Sequence, residues 1–196
     1  MQKLEILLIR HGETDYNKEG RFAGMTDTGL NKTGKKQIST LRKKLKKENI
    51  DRIYSSSLKR CVETVKILKL KAGVNYSNNL QEMDFGRWEK LNYKEIEMNY
   101  KNEAEKWKSD WINYAIPKGE SFAQMSKRVI EELERIKKNH NNNKIAIITH
   151  GGCVRTILGH YIMDSVKDSW KFYISNGSIS RICFDENYVY LKSLNE

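Results

Sequence analysis

The chain has 196 residues, which is enough for one domain with a hydrophobic core and short for two. Hydrophobic residues make up 38% of it, and apolar runs such as Ile6–Ile9 argue against a disordered protein. No apolar stretch approaches the roughly 20 residues of a membrane span, and the N-terminal residues carry no signal-peptide pattern. We therefore expect a single domain over residues 1–196, located in the cytoplasm.

The formal net charge of +11 raises the question of nucleic-acid binding. Much of this charge lies in Arg42–Lys47, where Ile38, Leu41 and Leu45 share one helical face and leave the lysines on the opposite, solvated face. Because no nucleic-acid motif accompanies these charges, we expect no nucleic-acid partner. A positive surface would instead help to collect anionic substrates.

The cysteines Cys61, Cys153 and Cys183 lack the paired spacing of a disulfide framework or a zinc site. Neither Cys61 nor Cys153 has, six residues later, the arginine that a cysteine-dependent phosphatase needs to grip phosphate. We interpret all three as packing residues. His140 and His160 lack carboxylate or thiolate partners at ligand spacing, so no metal site is expected.

Strands and helices alternate along the chain, which predicts an α/β sheet covered by helices on both faces. The predicted strands are Leu4–Arg10, Arg52–Ser56, Lys144–Thr149, Ile179–Phe184 and Tyr188–Leu194. The predicted helices are Thr33–Lys47, Leu58–Leu70, Ser121–Lys138 with a capping box at its start, and one beginning near Cys153 after a Gly-Gly turn. The aromatic-rich stretch at about 88–119 interrupts this alternation and predicts a helical insertion over the sheet edge.

Two predicted strands end in a histidine followed by glycine, in Arg10-His11-Gly12 and in Thr149-His150-Gly151. A third strand-to-helix junction delivers Arg60. In open α/β sheets the ligand site lies beyond the carboxyl ends of the strands, so these arginines and histidines are expected to converge. Arginine binds phosphate oxygens bidentately, and helix N-termini add N–H donors. The pattern predicts a phosphate site with a histidine nucleophile.

The segment Leu8-Ile9-Arg10-His11-Gly12-Glu13-Thr14, followed by Asn17, closely resembles the signature of the histidine phosphatase superfamily, which includes the cofactor-dependent phosphoglycerate mutases. Ser55–Thr64 resembles the second element of that family, and Thr149–Gly152 resembles the third. The resemblance covers nearly the whole chain in the right order. It implies a phosphoglycerate mutase-like, three-layer sandwich with a mostly parallel central sheet.

The same resemblance implies that His11 takes the phosphoryl group and becomes phosphohistidine. Glu82 aligns with the family's general acid, which protonates the leaving oxygen and later activates water. The groups that would hold the phosphate oxygens are Arg10, Asn17, Arg60, His150 and the backbone N–H of Gly151. A cluster of positive charge would also keep His11 unprotonated near neutral pH. No cofactor is expected.

The pattern Phe85-Gly86-Arg87-Trp88-Glu89 looks like the phosphatase branch of the family, and the extra arginines of the mutase branch are not found, so water is the expected acceptor. The stretch around Trp107, Trp111 and 115–122 is similar to alpha-ribazole phosphatases, which remove phosphate from the nucleotide precursor of cobalamin's lower ligand. Trp88, Trp107 or Trp111 would then stack on an aromatic base. The alternative is that these tryptophans form the core of the insertion.

Two rival functions remain open. One is a broad-specificity small-molecule phosphatase or a phosphoglycerate mutase-like enzyme. The other is a non-enzymatic phosphate-binding scaffold, which would be expected to lack a nucleophile or an acid, yet His11 and Glu82 are both present. The expected partner is therefore a small phosphate ester, and the oligomeric state is left open, a homodimer included.

Overall fold

The computed structural model describes residues 4–186 and 188–196, which form six strands and seven α-helices. The strands are β1 Leu4–Arg10, β2 Arg52–Ser56, β3 Gly73–Ser77, β4 Lys144–Thr149, β5 Ile179–Phe184 and β6 Val189–Ser193. The α-helices are α1 Asp15–Lys18, α2 Lys32–Leu45, α3 Lys59–Leu68, α4 Tyr93–Asn99, α5 Lys101–Ser109, α6 Phe122–Lys138 and α7 Gly151–Ile162. Three short 3-10 helices are Asn78–Leu80, Gly86–Trp88 and Val166–Lys171.

The six strands form one sheet in the order β3-β2-β4-β1-β5-β6. The pairs β3–β2, β2–β4 and β4–β1 are parallel, whereas β5 runs antiparallel to both β1 and β6. The central strands β1 and β4 are buried on both faces, which is why their sequences are nearly continuous apolar runs. The mostly parallel sheet is therefore confirmed.

Successive side chains of β1 enter different hydrophobic clusters. Ile6 and Leu8 pack with residues of α6 and α7, whereas Leu7 and Ile9 pack with residues of α2 and α3. This alternation follows from the two-residue period of a strand. The sheet is thus the middle layer of three, with helices on both faces, and the predicted sandwich is confirmed.

The structure differs from the sequence-based expectation at two places. The sequence pattern does not reveal β3. This strand lies at the sheet edge beside β2 and is largely exposed, so its sequence contains no apolar run. Gly151 and Gly152 do not form a turn before a helix near Cys153; they are the first two residues of α7 itself. The other predicted helix bounds are shifted by a few residues, as frayed ends commonly are.

The stretch predicted as an insertion contains α4 and α5, and a capping box between Asn92 and Glu95 starts α4. Its buried residues Ile96, Ala104 and Ile116 belong to the same hydrophobic cluster as the core of α6 and α7. The insertion therefore extends the helical layer on that face of the sheet. None of the helices in the described residues is long and apolar enough to cross a membrane.

Candidate active site

The register of β1 and β4 brings the two histidines together. Arg10 lies opposite Thr149 at the ends of these parallel strands, and the next backbone bond runs from the N–H of His11 to the carbonyl of Thr149 at 3.0 Å. The rings of His11 and His150 consequently lie 5.1 Å apart between centroids, in an edge-to-face arrangement. The expected convergence at the carboxyl edge of the sheet is confirmed for this pair.

His11 is 3% exposed, and its Nδ1 lies 2.7 Å from the carbonyl oxygen of Gly12. A carbonyl only accepts, so Nδ1 carries the proton and Nε2 keeps a free lone pair. Burial lowers the pKa of His11 well below its usual value, and the neighbouring Arg60 and Arg10 guanidiniums lower this pKa further. The imidazole is thus neutral and nucleophilic at neutral pH.

His150 is fully buried and has both ring nitrogens engaged. Nδ1 accepts from Nε of Arg60 at 3.1 Å, so Nε2 carries the proton and donates to Oγ of Ser56 at 2.8 Å. Burial, followed by the charge of Arg60, lowers the pKa of His150 well below its usual value. His150 is therefore also neutral, and a bound phosphate would have to compete with Ser56 for its N–H.

Arg60 is 1% exposed and bonds mostly to a loop. Its Nη1 donates to the carbonyl of Thr26 at 3.0 Å, and its Nη2 donates to those of Ala23 and Gly24 at 3.1 and 2.7 Å. With Nε committed to His150, one of the five guanidinium hydrogens is left for an anion. Arg60 thus ties the 23–26 loop to the site and adds positive charge beside His11.

Glu89 holds the other side of that loop. Its carboxylate accepts from the backbone N–H groups of Gly24, Met25 and Thr26, and from Phe85 N–H. The loop therefore lies between a carboxylate on its N–H side and the Arg60 guanidinium on its carbonyl side. Sequence reasoning named Glu89 only as part of a motif, because its partners are backbone groups that leave no side-chain pattern.

Arg10 is the less committed arginine of the site. Its Nη1 donates to the carbonyl of Ile174 at 2.6 Å, while its Nε is buried and has no partner among the described residues. A Cβ at Gly151 would lie 3.2 Å from this Nε, so the glycine at the start of α7 permits a close approach. A buried donor without a partner, next to the N-terminus of a helix, suits an oxygen anion.

Glu82 lies against the same helix N-terminus. Its Oε2 accepts from the N–H of Gly152 at 2.9 Å and its Oε1 from its neighbour Met83 at 3.1 Å. A Cβ at position 152 would come within 2.3 Å of Oε1, so only glycine allows this contact. Arg128 secures the segment from behind, since its Nη2 donates to the carbonyl of Glu82 at 2.8 Å. Sequence reasoning missed Arg128.

Asn17 belongs to the short helix α1, where it forms a capping box with Thr14. Its Oδ1 accepts from the N–H and the hydroxyl of Thr14, both at 3.1 Å, and from Nδ2 of Asn176 at 3.1 Å. Because the oxygen end of the amide has three donors, the nitrogen end is the part left to bind an anion. Asn176 was not found from the sequence.

The structure separates the three predicted substrate-pocket tryptophans. Trp88 is 1% exposed and packs in the core against Phe22 and Trp107, so it offers no open face for stacking. Trp107 is half-buried between Trp88 and Tyr93. Trp111 is half-buried too, and its ring centroid lies 5.9 Å from that of Trp170. Trp170 is an exposed aromatic residue that the sequence analysis did not identify.

Trp170, Arg155 and Tyr173 form an exposed rim, which we call the aromatic rim. Trp170 and Tyr173 are 55% and 73% exposed, and the Arg155 guanidinium lies 4.9 Å above the Trp170 ring. Arg155 Nε donates to the carbonyl of Phe172 at 3.0 Å, and it forms no ion pair in the part of the chain that the structure describes. The charge of Arg155 lowers the pKa of Arg10, and the charge of Glu82 raises the pKa of Arg155, so the rim lies near both Arg10 and Glu82.

Cys61, Cys153 and Cys183 are free and buried, which confirms them as packing residues. Burial raises the pKa of the Cys61 thiol to about 12, so it stays protonated despite its place next to Arg60. Within residues 4–186 and 188–196, no three His, Cys, Asp or Glu side chains group in a way that could hold a metal ion.

Comparison with known proteins identifies the family. Residues 6–196 match the histidine phosphatase superfamily, branch 1. Phosphoserine phosphatase 1 of Hydrogenobacter thermophilus is 30% identical over 194 residues, which cover 98% of this chain and 92% of that protein. Adenosylcobalamin/alpha-ribazole phosphatase of Salmonella typhimurium is 27% identical over 194 residues, covering 98% and 96%.

Solved structures agree with the sequence comparison. The crystal structure of the alpha-ribazole phosphatase from Shigella flexneri is similar with a TM-score of 0.92 and 27% identity, covering 98% of this chain and 96% of that one. This chain therefore belongs to the histidine phosphatase superfamily, branch 1, and is a phosphatase.

Proposed function

We propose that this phosphatase hydrolyses a small phosphate monoester through a phosphohistidine on Nε2 of His11. The observation that carries the proposal is a buried neutral His11, whose Nδ1–H is bonded to the Gly12 carbonyl, beside the unpartnered Nε of Arg10. A neutral nucleophile beside a guanidinium that has a free buried N–H suits a dianionic phosphoryl group.

The reaction runs in two steps. The Nε2 lone pair of His11 forms a bond to phosphorus as the bond to the ester oxygen breaks, and Glu82 gives its proton to that leaving oxygen. Glu82 then takes a proton from water, whose oxygen attacks phosphorus and releases His11 and inorganic phosphate. Arg10, Arg60, His150, Asn17 and the Gly151 N–H hold the phosphoryl oxygens through both steps.

The test is to trap the phosphoenzyme by rapid quenching in alkali and to map the modified residue. His11→Ala is expected to abolish turnover and trapping, while the native protein yields an acid-labile phosphohistidine at position 11. His140→Ala is the matched control, because the His140 side chain bonds to the Tyr54 hydroxyl, at 2.8 Å, away from the site. Phosphate on His150, on a serine or on Cys61 would overturn the assignment.

For the substrate, we propose alpha-ribazole phosphate, hydrolysed to alpha-ribazole and phosphate in cobalamin biosynthesis. The relatives from Salmonella typhimurium and Shigella flexneri support this choice, and so do the neighbouring rings of Trp111 and Trp170, which offer a surface for a flat base. Trp170→Ala should then lower kcat/KM for this substrate about tenfold or more, as expected when one stacking platform is lost.

A second candidate is phosphoserine, which the unpaired Arg155 favours because a guanidinium binds a carboxylate bidentately. The relative from Hydrogenobacter thermophilus also supports it. Arg155→Met should reduce kcat/KM for phosphoserine much more than for alpha-ribazole phosphate, and Trp170→Ala should do the reverse. Equal rates on both, on sugar phosphates and on phosphoglycerate would instead indicate broad specificity.

Chelation provides a separate check on the chemistry. The proposed steps use only histidine, glutamate and water, so exhaustive dialysis against a chelator should leave kcat and KM unchanged within about 20%, a difference of a few tenths of a kcal/mol or less in activation free energy. Loss of activity that one divalent ion restores would contradict the proposed mechanism.

A further inference from the structure

Residues 173–178, which we call the bracing segment, lead from the 3-10 helix Val166–Lys171 into β5 and contact the nucleophile's own strand end. Arg10 Nη1 donates to the carbonyl of Ile174 at 2.6 Å. Gly177 N–H is shared between the carbonyls of Arg10 and His11, at 3.2 and 3.0 Å. The Arg10 N–H donates to the carbonyl of Ser178 at 3.2 Å. The bracing segment thus holds both the backbone and the guanidinium of the Arg10–His11 pair.

Asn176 is the side chain of this segment that faces the site residues. Its Nδ2 donates to Oδ1 of Asn17 at 3.1 Å and to the carbonyl of His11 at 3.4 Å. One amide nitrogen has two hydrogens, so both bonds can exist together. The bond to Asn17 fixes the orientation of the Asn17 amide. Its Oδ1 accepts from Asn176 and twice from Thr14, so turning this oxygen toward an anion would break three hydrogen bonds.

The bracing segment is itself fixed by one distant side chain. Asn195 Oδ1 accepts from the N–H of Ser175 at 2.9 Å and the hydroxyl of Ser178 at 3.0 Å, and its Nδ2 donates to the carbonyl of Tyr173 at 2.5 Å. Asn195 adopts a positive φ of 57°, a conformation that asparagine accepts more readily than most residues. The segment is therefore tied at three points along its length.

We propose that Asn176 is a positioning residue: it holds the Asn17 amide with its N–H₂ end toward the phosphoryl group, and Asn195 holds Asn176 in place. Asn176 acts through Asn17 and does not itself touch the substrate. This inference rests on the proposed phosphate site at His11. It predicts that the contribution of Asn176 to phosphate binding disappears when Asn17 cannot donate.

The experiment is a double-mutant cycle with inorganic phosphate as the probe, titrated calorimetrically into the folded protein. Asn176→Ala should weaken phosphate binding about tenfold in the native background, which corresponds to losing one charge-assisted hydrogen bond. In the Asn17→Ala background, the same change should weaken binding less than about twofold. Asn195→Ala should show the same coupling with a smaller loss. Asn113→Ala, an exposed asparagine bonded to Asp110, is the matched control.

Equal losses in both backgrounds would show that Asn176 acts independently of Asn17 and would overturn the inference. Unchanged phosphate affinity in Asn176→Ala would also overturn the inference. If thermal melting then showed lower stability, the role of Asn176 would be purely structural. Phosphate coupling without phosphohistidine would reject the proposed function and leave this inference standing.

Discussion

Two charged clusters in this protein are built in opposite ways. One surrounds Arg181 near the starts of β1 and β4, and we call it the ionic network; its members are Glu5, Glu48, Lys144, Arg181, Lys192 and Glu196. The other is the phosphate site at the ends of the same two strands. In the first every charge forms an ion pair, whereas in the second neither Arg10 nor Arg60 forms one with any residue that the structure describes.

In the ionic network, Arg181 contacts Glu5, Glu48 and Glu196 at 2.9 to 3.3 Å. The hydrogen bond from Lys144 is the largest influence on Glu48 and lowers its pKa below the ordinary range. These charges therefore favour the folded state at neutral pH. Their arrangement serves stability and leaves no net field for a ligand to use.

At the proposed phosphate site, burial is the first cause that lowers the pKa of Arg10; the charge of Glu82 opposes this effect, and the charges of Arg155 and Arg60 add to it. Such an arrangement costs stability in the empty protein, because a buried cation that forms no ion pair is poorly solvated. An anion that enters the site removes that cost. Under the proposed function, the ionic network stabilises the fold and the cations beside His11 bind the substrate, and each prediction below changes one charge of one kind.

The largest effect after loss of the nucleophile is expected for Glu82→Gln. If Glu82 protonates the leaving oxygen, the rate of the first step with a poor leaving group should fall by about two to four powers of ten. A nitrophenyl ester needs little protonation, so its first step should slow much less and give a burst followed by slow turnover. Pre-steady-state kinetics on both substrates measures this difference.

Glu131→Gln is the control for the loss of a carboxylate, since Glu131 is exposed on α6 and lies 3.9 Å from Lys127. Its kinetics should remain within about twofold of native for both leaving groups, as a change outside the chemistry removes no transition-state interaction. Equal slowing of good and poor leaving groups in Glu82→Gln would mean that another carboxyl group, Asp84 or Glu13, is the acid.

Removal of Arg10, the less committed arginine of the site, should lower activity with little change in stability. Arg10→Met should lower kcat/KM by about two powers of ten, since a bidentate charged contact to phosphate is lost. The free energy of unfolding should change little, because removal of a buried, unpartnered Nε offsets the lost hydrogen bond from Nη1 to the Ile174 carbonyl. Arg42→Met, an exposed arginine on α2, is the control. Steady-state kinetics and urea unfolding of both variants check the pair of outcomes.

The same variant gives a pH signature with a definite sign. Arg10 lowers the pKa of His11, so its removal should raise that pKa toward the ordinary value near 6.5. Since only the neutral imidazole attacks, the acidic limb of kcat/KM should move to higher pH in Arg10→Met. An unchanged limb would show that another group controls it.

Several of these features could be predicted from the sequence because they rest on strand patterns. β1, β2, β4 and β5 occur with the predicted bounds, and β1 and β4 each contain an apolar run typical of a strand buried on both faces. The meeting of His11 and His150 followed from two parallel strands that both end in histidine. In this case the pairing of two parallel strands is enough to predict that the residues at their carboxyl ends lie close together.

Features that depend on backbone groups distant in sequence could not be predicted. Glu89 accepts hydrogen bonds from the N–H groups of residues 24–26. Asn176 donates to the Asn17 side chain and the His11 carbonyl, which are more than 150 residues away in sequence. Neither residue therefore leaves a local sequence pattern. Trp88 and Trp170 look alike in sequence, yet one is in the core and the other is on the rim. Which aromatic is exposed depends on packing that no spacing reveals.

The smallest effect is expected in the ionic network, from Glu48→Gln. Glutamine has the size of glutamate without its charge, so the variant loses the ion pairs with Lys144 and Arg181, at 2.6 and 3.2 Å, but keeps the shape of the site. The carboxylate is about three-quarters buried, with 24% of its side chain exposed, and such a pair contributes about 1 kcal/mol to the free energy of unfolding. Turnover should stay within about twofold of native, since no charge near His11 changes.

The pH dependence makes that last prediction specific. The pKa of Glu48 is lower in the folded protein than in the unfolded chain, so its stabilising effect is present above the unfolded value and is lost as pH falls through the folded value. Protonated glutamate and glutamine are electrically alike, so the stability difference between native and Glu48→Gln protein should shrink to nearly zero in acid. Urea unfolding at pH 7 and near pH 3 measures this stability difference. The control is Lys108→Met, which removes the exposed ion pair between Lys108 and Glu97. A difference that persists at pH 3 would show that packing rather than charge is lost, and the ionic network would then not be the stabilising counterpart of the phosphate site.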